Sequence, residues 1–308
     1  MKKVFLPFLL LFVLIIAACG NKTEDKAEDT SADKNNEPAT ITYESEDGPV
    51  EVPANPQKVI VLGSFAGNVM SLDVPLVGVD AWAKMNPRFD STLKDVEEVT
   101  DEDIEKIIEL EPDLIIGLST AKNIDKLKEI APTITFTYGK VDYLTQHLEI
   151  GKLLNKEKEA KAWVDDFKKR AATAGDDIRA KIGEDTTVSV IENFNKDLYV
   201  YGDHWGRGTE ILYQEMKLKM PKKVEESVLK DGYYALSQEV LPDYAGDYVI
   251  LSKFSDGDTS FQKTKTYKNI PAVKNGHVYE ANANEFYFND PITLEYQLEF
   301  FKDHFLGK

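Results

Sequence analysis

Asn155–Ile182 reads NKEKEAKAWVDDFKKRAATAGDDIRAKI, and no strand signal interrupts it. Ala160, Trp163, Val164 and Phe167 recur at i, i+3, i+4 and i+7, the spacing that places side chains on one face of an α-helix. Ala171, Ala174 and Ile178 extend that stripe, and Asn155 stands where an N-cap residue belongs. The spacing predicts one helix from Lys156 to Ile182, about 40 Å long at about 1.5 Å per residue. A helix of that length between two strand-rich halves is a spine rather than a hinge.

On the N-terminal side of the helix, Lys58–Leu62 (KVIVL), Val77–Val79 (VGV), Pro112–Ile116 (PDLII) and Ala131–Phe136 (APTITF) are short, nearly continuous apolar runs. Helical segments separate them, Phe65–Leu72 and Asp103–Leu110 among these, the latter with Ile104, Ile107 and Ile108 on one face. Such runs are the signature of parallel strands covered on both faces. Two extended pieces around a Glu-Asp-Gly turn at 46–48 form a hairpin ahead of them. On the C-terminal side, Thr187–Ile191, Leu198–Tyr201, Asp247–Leu251 and His277–Tyr279 read as strands, Thr209–Met216 as a helix, and Thr293–Phe305 as a closing helix. The expected fold class is α/β: two α/β lobes, 42–154 and 184–308, joined by a single long α-helix, 155–183.

A weak duplication links the halves. With Asp113 laid on Asp247, Leu114–Ile116 falls on Tyr248–Ile250, and a glutamate stands eight residues earlier in each, Glu105 and Glu239.

The first residues carry Lys2, Lys3 and an apolar stretch from Val4 to Ala18 that ends in Ile-Ala-Ala-Cys19, the single cysteine of the chain. About fifteen apolar residues is short for a spanning helix, and the pattern fits a signal peptide, 1–18, with a bacterial lipobox. Cys19 is then the lipidated N-terminus, and residues 19–41, polar and of mixed charge, form a flexible tether. The chain has 54 acidic and 37 basic residues and a net charge of −17, which argues against nucleic acid and polyanionic partners.

The densest candidate site is Leu198–Glu210, LYVYGDHWGRGTE. A strand ends at Tyr201, and glycines 202, 206 and 208 free the backbone to turn while Trp205 and Arg207 project. Loops at the carboxyl ends of strands are where ligands sit in open α/β sheets. The spacing is not that of a phosphate loop. A packed loop with Trp205 in the core and Arg207 in an ion pair is the structural alternative. A second cluster, Asn284–Pro291 (NEFYFNDP), precedes the last helix, and Trp82 and Tyr138 follow strands of the first half. No G-x-S-x-G or H-E-x-x-H motif occurs, and the four histidines, 147, 204, 277 and 304, are dispersed. No catalytic set and no metal-ligand set is expected, nor a resident cofactor.

Taken together, the lipobox, tether, two lobes, one spanning helix and one glutamate per lobe resemble the siderophore- and cobalamin-type substrate-binding proteins of ABC importers. LYVYGDHWGRG at 198–208, YAGDY at 244–248 and Asn289-Asp290-Pro291 are similar to the ferric hydroxamate-binding lipoproteins of Gram-positive bacteria. The resemblance implies an iron(III)–hydroxamate complex held in a shallow cleft between the lobes, contacted by Tyr199, Trp205, Arg207, Tyr138 and Tyr287 at the cleft rim. It also implies that Glu105 and Glu239 dock on the permease, and that the protein is a monomer on the outer face of the cytoplasmic membrane. Where the family typically has Trp, this chain has Tyr287. A trihydroxamate already supplies six oxygens to iron, so the protein needs flat faces and a donor rather than metal ligands. The chain has four arginines, 88, 170, 179 and 207, and one of them lies in the candidate site, which favours hydroxamates over anionic catecholates or citrates. The alternatives are a haem- or cobalamin-binding protein of the same fold and, in a different class, a lipid-anchored surface hydrolase.

Overall fold

Val59–Leu62, the first apolar run, becomes the central strand of a sheet in the computed structural model, which describes residues 39–194, 197–228 and 231–307. The expected signal peptide, Cys19 and nearly all of the expected tether lie outside the described residues. The body starts two residues earlier than expected. Strand β1 (Thr40–Ser45) pairs antiparallel with β2 (Gly48–Pro53), so Thr40 and Ile41 belong to the hairpin and not to the tether.

The first lobe is a five-stranded parallel sheet of β3 (Val59–Leu62), β4 (Leu76–Val79), β5 (Glu97–Glu98), β6 (Leu114–Leu118) and β7 (Thr133–Phe136) in the order β5-β4-β3-β6-β7. Both faces are covered, which is why its strands read as unbroken apolar runs. Val59, Val61, Leu114 and Ile116 pack into one core. Ile60, Leu62 and Ile115, pointing the other way, pack with Ile107 and Leu127 into another.

The second lobe does not repeat the first. Its sheet, of β8 (Val188–Phe194), β9 (Asp197–Tyr201), β10 (Tyr233–Leu236), β11 (Tyr248–Lys253) and β12 (Val278–Asn282), has the order β10-β9-β8-β11-β12. β8, β11 and β12 are parallel, but β9 runs antiparallel to β8, and β10 antiparallel to β9. The duplication holds where Asp113 and Asp247 stand. Asp113 accepts from the backbone N–H groups of Gln57 and Lys58 just before β3, and Asp247 accepts from that of Thr187 just before β8. Each acid precedes the strand that flanks its lobe's central strand.

Glu157–Ile182 is a single 26-residue helix. Its buried stripe is Ala160, Val164, Phe167, Ala171, Ala174, Gly175 and Ile178. Asn155 is not its N-cap. With φ +55° it sits in the left-handed region after the helix Tyr143–Leu153, and Lys156 takes the cap position without a side-chain bond. Asparagine tolerates that conformation better than most residues, so the same residue type that suits a helix start here marks the exit of the preceding helix.

The described residues form one compact unit, and the long helix is not its only brace. Phe288, near the end of the chain, is buried in the first lobe's core and stacks on Phe89 with ring centres 6.0 Å apart. Asp290, 1% exposed, caps the helix Pro291–Phe301 by accepting from the N–H groups of Ile292 and Thr293. Thr293 on that helix accepts a hydrogen bond from Asn86 of the first lobe at 3.2 Å. Among the described residues, no helix is long and apolar enough to cross a membrane.

Candidate ligand-binding site

β9 ends at Tyr201, and the loop that follows makes three consecutive left-handed turns: φ is +69° at Gly206, +58° at Arg207 and +78° at Gly208. Both glycines are needed for space as well as for φ. A Cβ on Gly206 would strike the Tyr287 carbonyl, and one on Gly208 would meet the Phe301 ring. Arg207 has no such licence, and a left-handed non-glycine residue costs roughly 1–2 kcal/mol.

What holds Arg207 there is a buried network. Glu192 on β8, fully buried, lies 3.1 Å from Arg207 Nη2 and also takes the Nε–H. The Tyr201 and Ser252 hydroxyls donate to the same carboxylate at 3.0 and 2.9 Å. Arg207 Nη1 donates to the Trp205 carbonyl, and the guanidinium lies under the Tyr287 ring, 4.0 Å from its centre. Burial works against the Arg207 charge, but Glu192 beside it raises the guanidinium pKa above its ordinary value. Burial, joined by Glu192 and opposed by the Arg207 charge, pushes the Tyr201 hydroxyl far up. Arg207 is therefore not a free rim side chain: it is 7% exposed and ion-paired. Each terminal nitrogen keeps one N–H with no acceptor among the described residues.

Trp205 is not in the core. It is half-buried, and its indole N–H donates to the Asp231 carbonyl at 2.8 Å. Gly232, with φ +75°, leaves room for it, because a Cβ there would sit on the indole. Tyr138 of the first lobe faces Trp205 at 6.0 Å. Together they form part of the wall of a cleft of about 580 Å³ that Phe65, Asn68, Gln146 and Asn289 also line. Tyr138 is 45% exposed, yet its hydroxyl is desolvated in the cleft, which with the Glu210 charge pushes it up to about 12.

Tyr287 belongs to a neighbouring hollow of about 360 Å³, where it stacks on Trp82 at 5.1 Å. Ser64 lines both spaces. Tyr199 lines neither; it sits one ring further out, 6.2 Å from Tyr233. Tyr233, 41% exposed on β10, meets Trp205 edge-to-face at 5.3 Å and extends the aromatic wall. It was not legible in the sequence, because β10 is an edge strand whose first three residues are all exposed. Glu192 had a signal: it is a lone charge inside the apolar run of β8.

Beneath the cleft, Asn68 Nδ2 lies 3.4 Å from His147 Nδ1. His147 is 1% exposed, its Nε2 lacks a hydrogen-bond partner among the described residues, and burial pushes its pKa down to about 4. No group of three or more His, Cys, Asp or Glu among the described residues is placed to hold a metal ion. Glu105 is exposed on the first turn of the helix Ile104–Leu110, and Glu239 is exposed in the turn before the helix Leu241–Tyr244. Neither forms an ion pair among the described residues.

Residues 68–285 match the model of the periplasmic binding protein family. The chain belongs to that family. The iron(3+)-hydroxamate-binding protein FhuD of Bacillus subtilis is 38% identical over 300 residues, covering 95% of this chain and 94% of its own length. Among solved structures, the FhuD protein from S. pseudintermedius is similar with a TM-score of 0.79 and 37% identity, over 87% of this chain and 99% of that one. FhuD2 from Staphylococcus aureus with bound ferrioxamine B is similar with a TM-score of 0.78 and 35% identity, over 82% of this chain and 99% of that one. For this periplasmic binding protein, the two-lobed α/β fold with one spanning helix is thus the fold of its relatives.

Proposed function

We propose that this chain binds one iron(III)–hydroxamate siderophore between its lobes, without catalysis, and delivers it to an ABC permease for iron uptake. The observation that carries this is the cleft lined by Tyr138 and Trp205, in a chain similar to FhuD2 with bound ferrioxamine B. Iron in a trihydroxamate is saturated by six oxygens, so the site has to grip an organic shell. Aromatic faces supply contact area, and polar tips supply orientation. Trp205 and Tyr138 pack on the shell as one aromatic wall, which Tyr233 widens. Arg207, buried behind the Trp205 loop and outside the cleft lining, offers its spare N–H groups to the iron-bound oxygens from behind that wall. Tyr287 lies in the neighbouring hollow and Tyr199 further out. Glu105 and Glu239, one per lobe, set the register on the permease. The chain is held as a monomer at the outer face of the cytoplasmic membrane through Cys19; Cys19→Ala is expected to stop incorporation of labelled fatty acid, and unchanged labelling would refute the anchor.

Calorimetric titration with ferrioxamine B, ferrichrome, haemin, cobalamin and a ferric catecholate tests the proposal. One-to-one binding of the two hydroxamates is expected. Binding of haemin or cobalamin alone would overturn it.

A further inference from the structure

The charges around the cleft do not balance. Arg207 is matched by Glu192, and Lys140, the ammonium lining the cleft, is tied to Glu46 at 3.1 Å. Asp142, Glu210 and Asp231 also line the cleft. Asp142 spends its carboxylate capping the helix Tyr143–Leu153, and Asp231 is exposed. Glu210 is different: it is 2% exposed and no cation reaches it among the described residues. Its carboxylate accepts from the Gly206 N–H and Asn289 Nδ2, both at 2.9 Å, and lies 3.0 Å from the Thr209 hydroxyl. These are neutral groups, so the carboxylate has no ion-pair partner among the described residues. Its charge is felt at the Tyr138 hydroxyl, whose pKa burial and Glu210 raise while the Arg207 charge opposes them.

We propose that Glu210 is a specificity-determining residue that makes the cleft prefer ferric trihydroxamates bearing a net positive charge, such as a free ammonium arm, over neutral ones. This rests on the functional reading above and adds the charge class of the ligand. A buried carboxylate is poorly screened, and at an effective dielectric of about 20 a unit charge roughly 10 Å away changes affinity by about tenfold. An anionic complex meets the same field with the opposite sign.

The test compares ferrioxamine B, which carries one ammonium, with the same complex acetylated on that amine. The iron shell is identical and only the charge differs. Wild type is expected to bind the ammonium form about tenfold more tightly. In Glu210→Gln the ratio is expected to fall to near one. This variant suits the site: the amide oxygen can accept from Gly206 and Asn289, and the amide nitrogen can donate to the Thr209 hydroxyl, which donates in turn to the Gly206 carbonyl. Equal affinities in wild type would overturn the proposal without any variant, as would a ratio that survives Glu210→Gln. If wild type binds neither complex, it is the functional reading that fails.

Discussion

The Arg207 guanidinium lies 3.1 Å from the Glu192 carboxylate, and both partners are withdrawn from water. A buried pair of this kind is costly to break from one side, because the survivor keeps its charge and loses its counter-charge. Arg207→Ala is expected to lower stability by about 3–5 kcal/mol, beyond any effect on the ligand. The double variant Arg207→Ala, Glu192→Leu should recover much of that loss in urea unfolding and still bind ferrioxamine B weakly. A single variant as stable as wild type would contradict the pairing.

Trp205 and Gly232 are coupled by space. Trp205→Ala is expected to weaken ferrioxamine B binding about ten- to a hundredfold, through lost contact area. Gly232→Ala, which removes nothing from the cleft, should displace the indole and give a smaller loss of the same kind. Affinity unchanged in Gly232→Ala would mean that the position of Trp205 is not what the ligand reads.

Glu105 and Glu239 stand at the same sequence offset before β6 and β11, one on a helix and one in a turn, both exposed and without ion pairs among the described residues. Exposed pairs add little energy, but two of them fix orientation. Replacing both by Ala should abolish iron uptake in cells while leaving ligand affinity as it was. Lost ligand binding would place them in a different role.

Much of this was legible in the chain because burial imposes periodicity. β3, β6 and β11 are covered on both faces and read as apolar runs; the helix Glu157–Ile182 has one buried stripe and reads at helical spacing. The Gly206-Arg-Gly208 turn was marked by its glycines. What escaped depends on contacts between distant residues. β10 joins the sheet beside β9 from more than 30 residues away, antiparallel to it, with Tyr233 opposite Tyr201. Phe288 crosses into the first lobe's core, and only the folded path of the chain reveals that. Arg207 looked free because its partner lies 15 residues away on another strand.

His147 gives a pH dependence with a definite sign. Its ordinary pKa of 6.5 falls to about 4 in the fold through burial. Between those values the unfolded chain binds a proton that the folded chain refuses, so stability falls as pH drops through that window and is unaffected above it. From pH 7 to 5 the expected loss from this group is about 2 kcal/mol. Urea unfolding of His147→Gln should show a shallower slope than wild type over that range. Identical slopes would mean that His147 protonates in the folded state.

The central claim is a place: a ferric hydroxamate sits whole in the cleft that Tyr138 and Trp205 line. Crystals grown with ferrioxamine B, measured at the iron absorption edge, locate the metal directly by anomalous scattering. The account predicts one iron peak per chain in the cleft lined by Phe65, Tyr138 and Trp205, with all six ligand oxygens from the siderophore. An iron peak outside that cleft, or one bonded to a protein side chain, would contradict it.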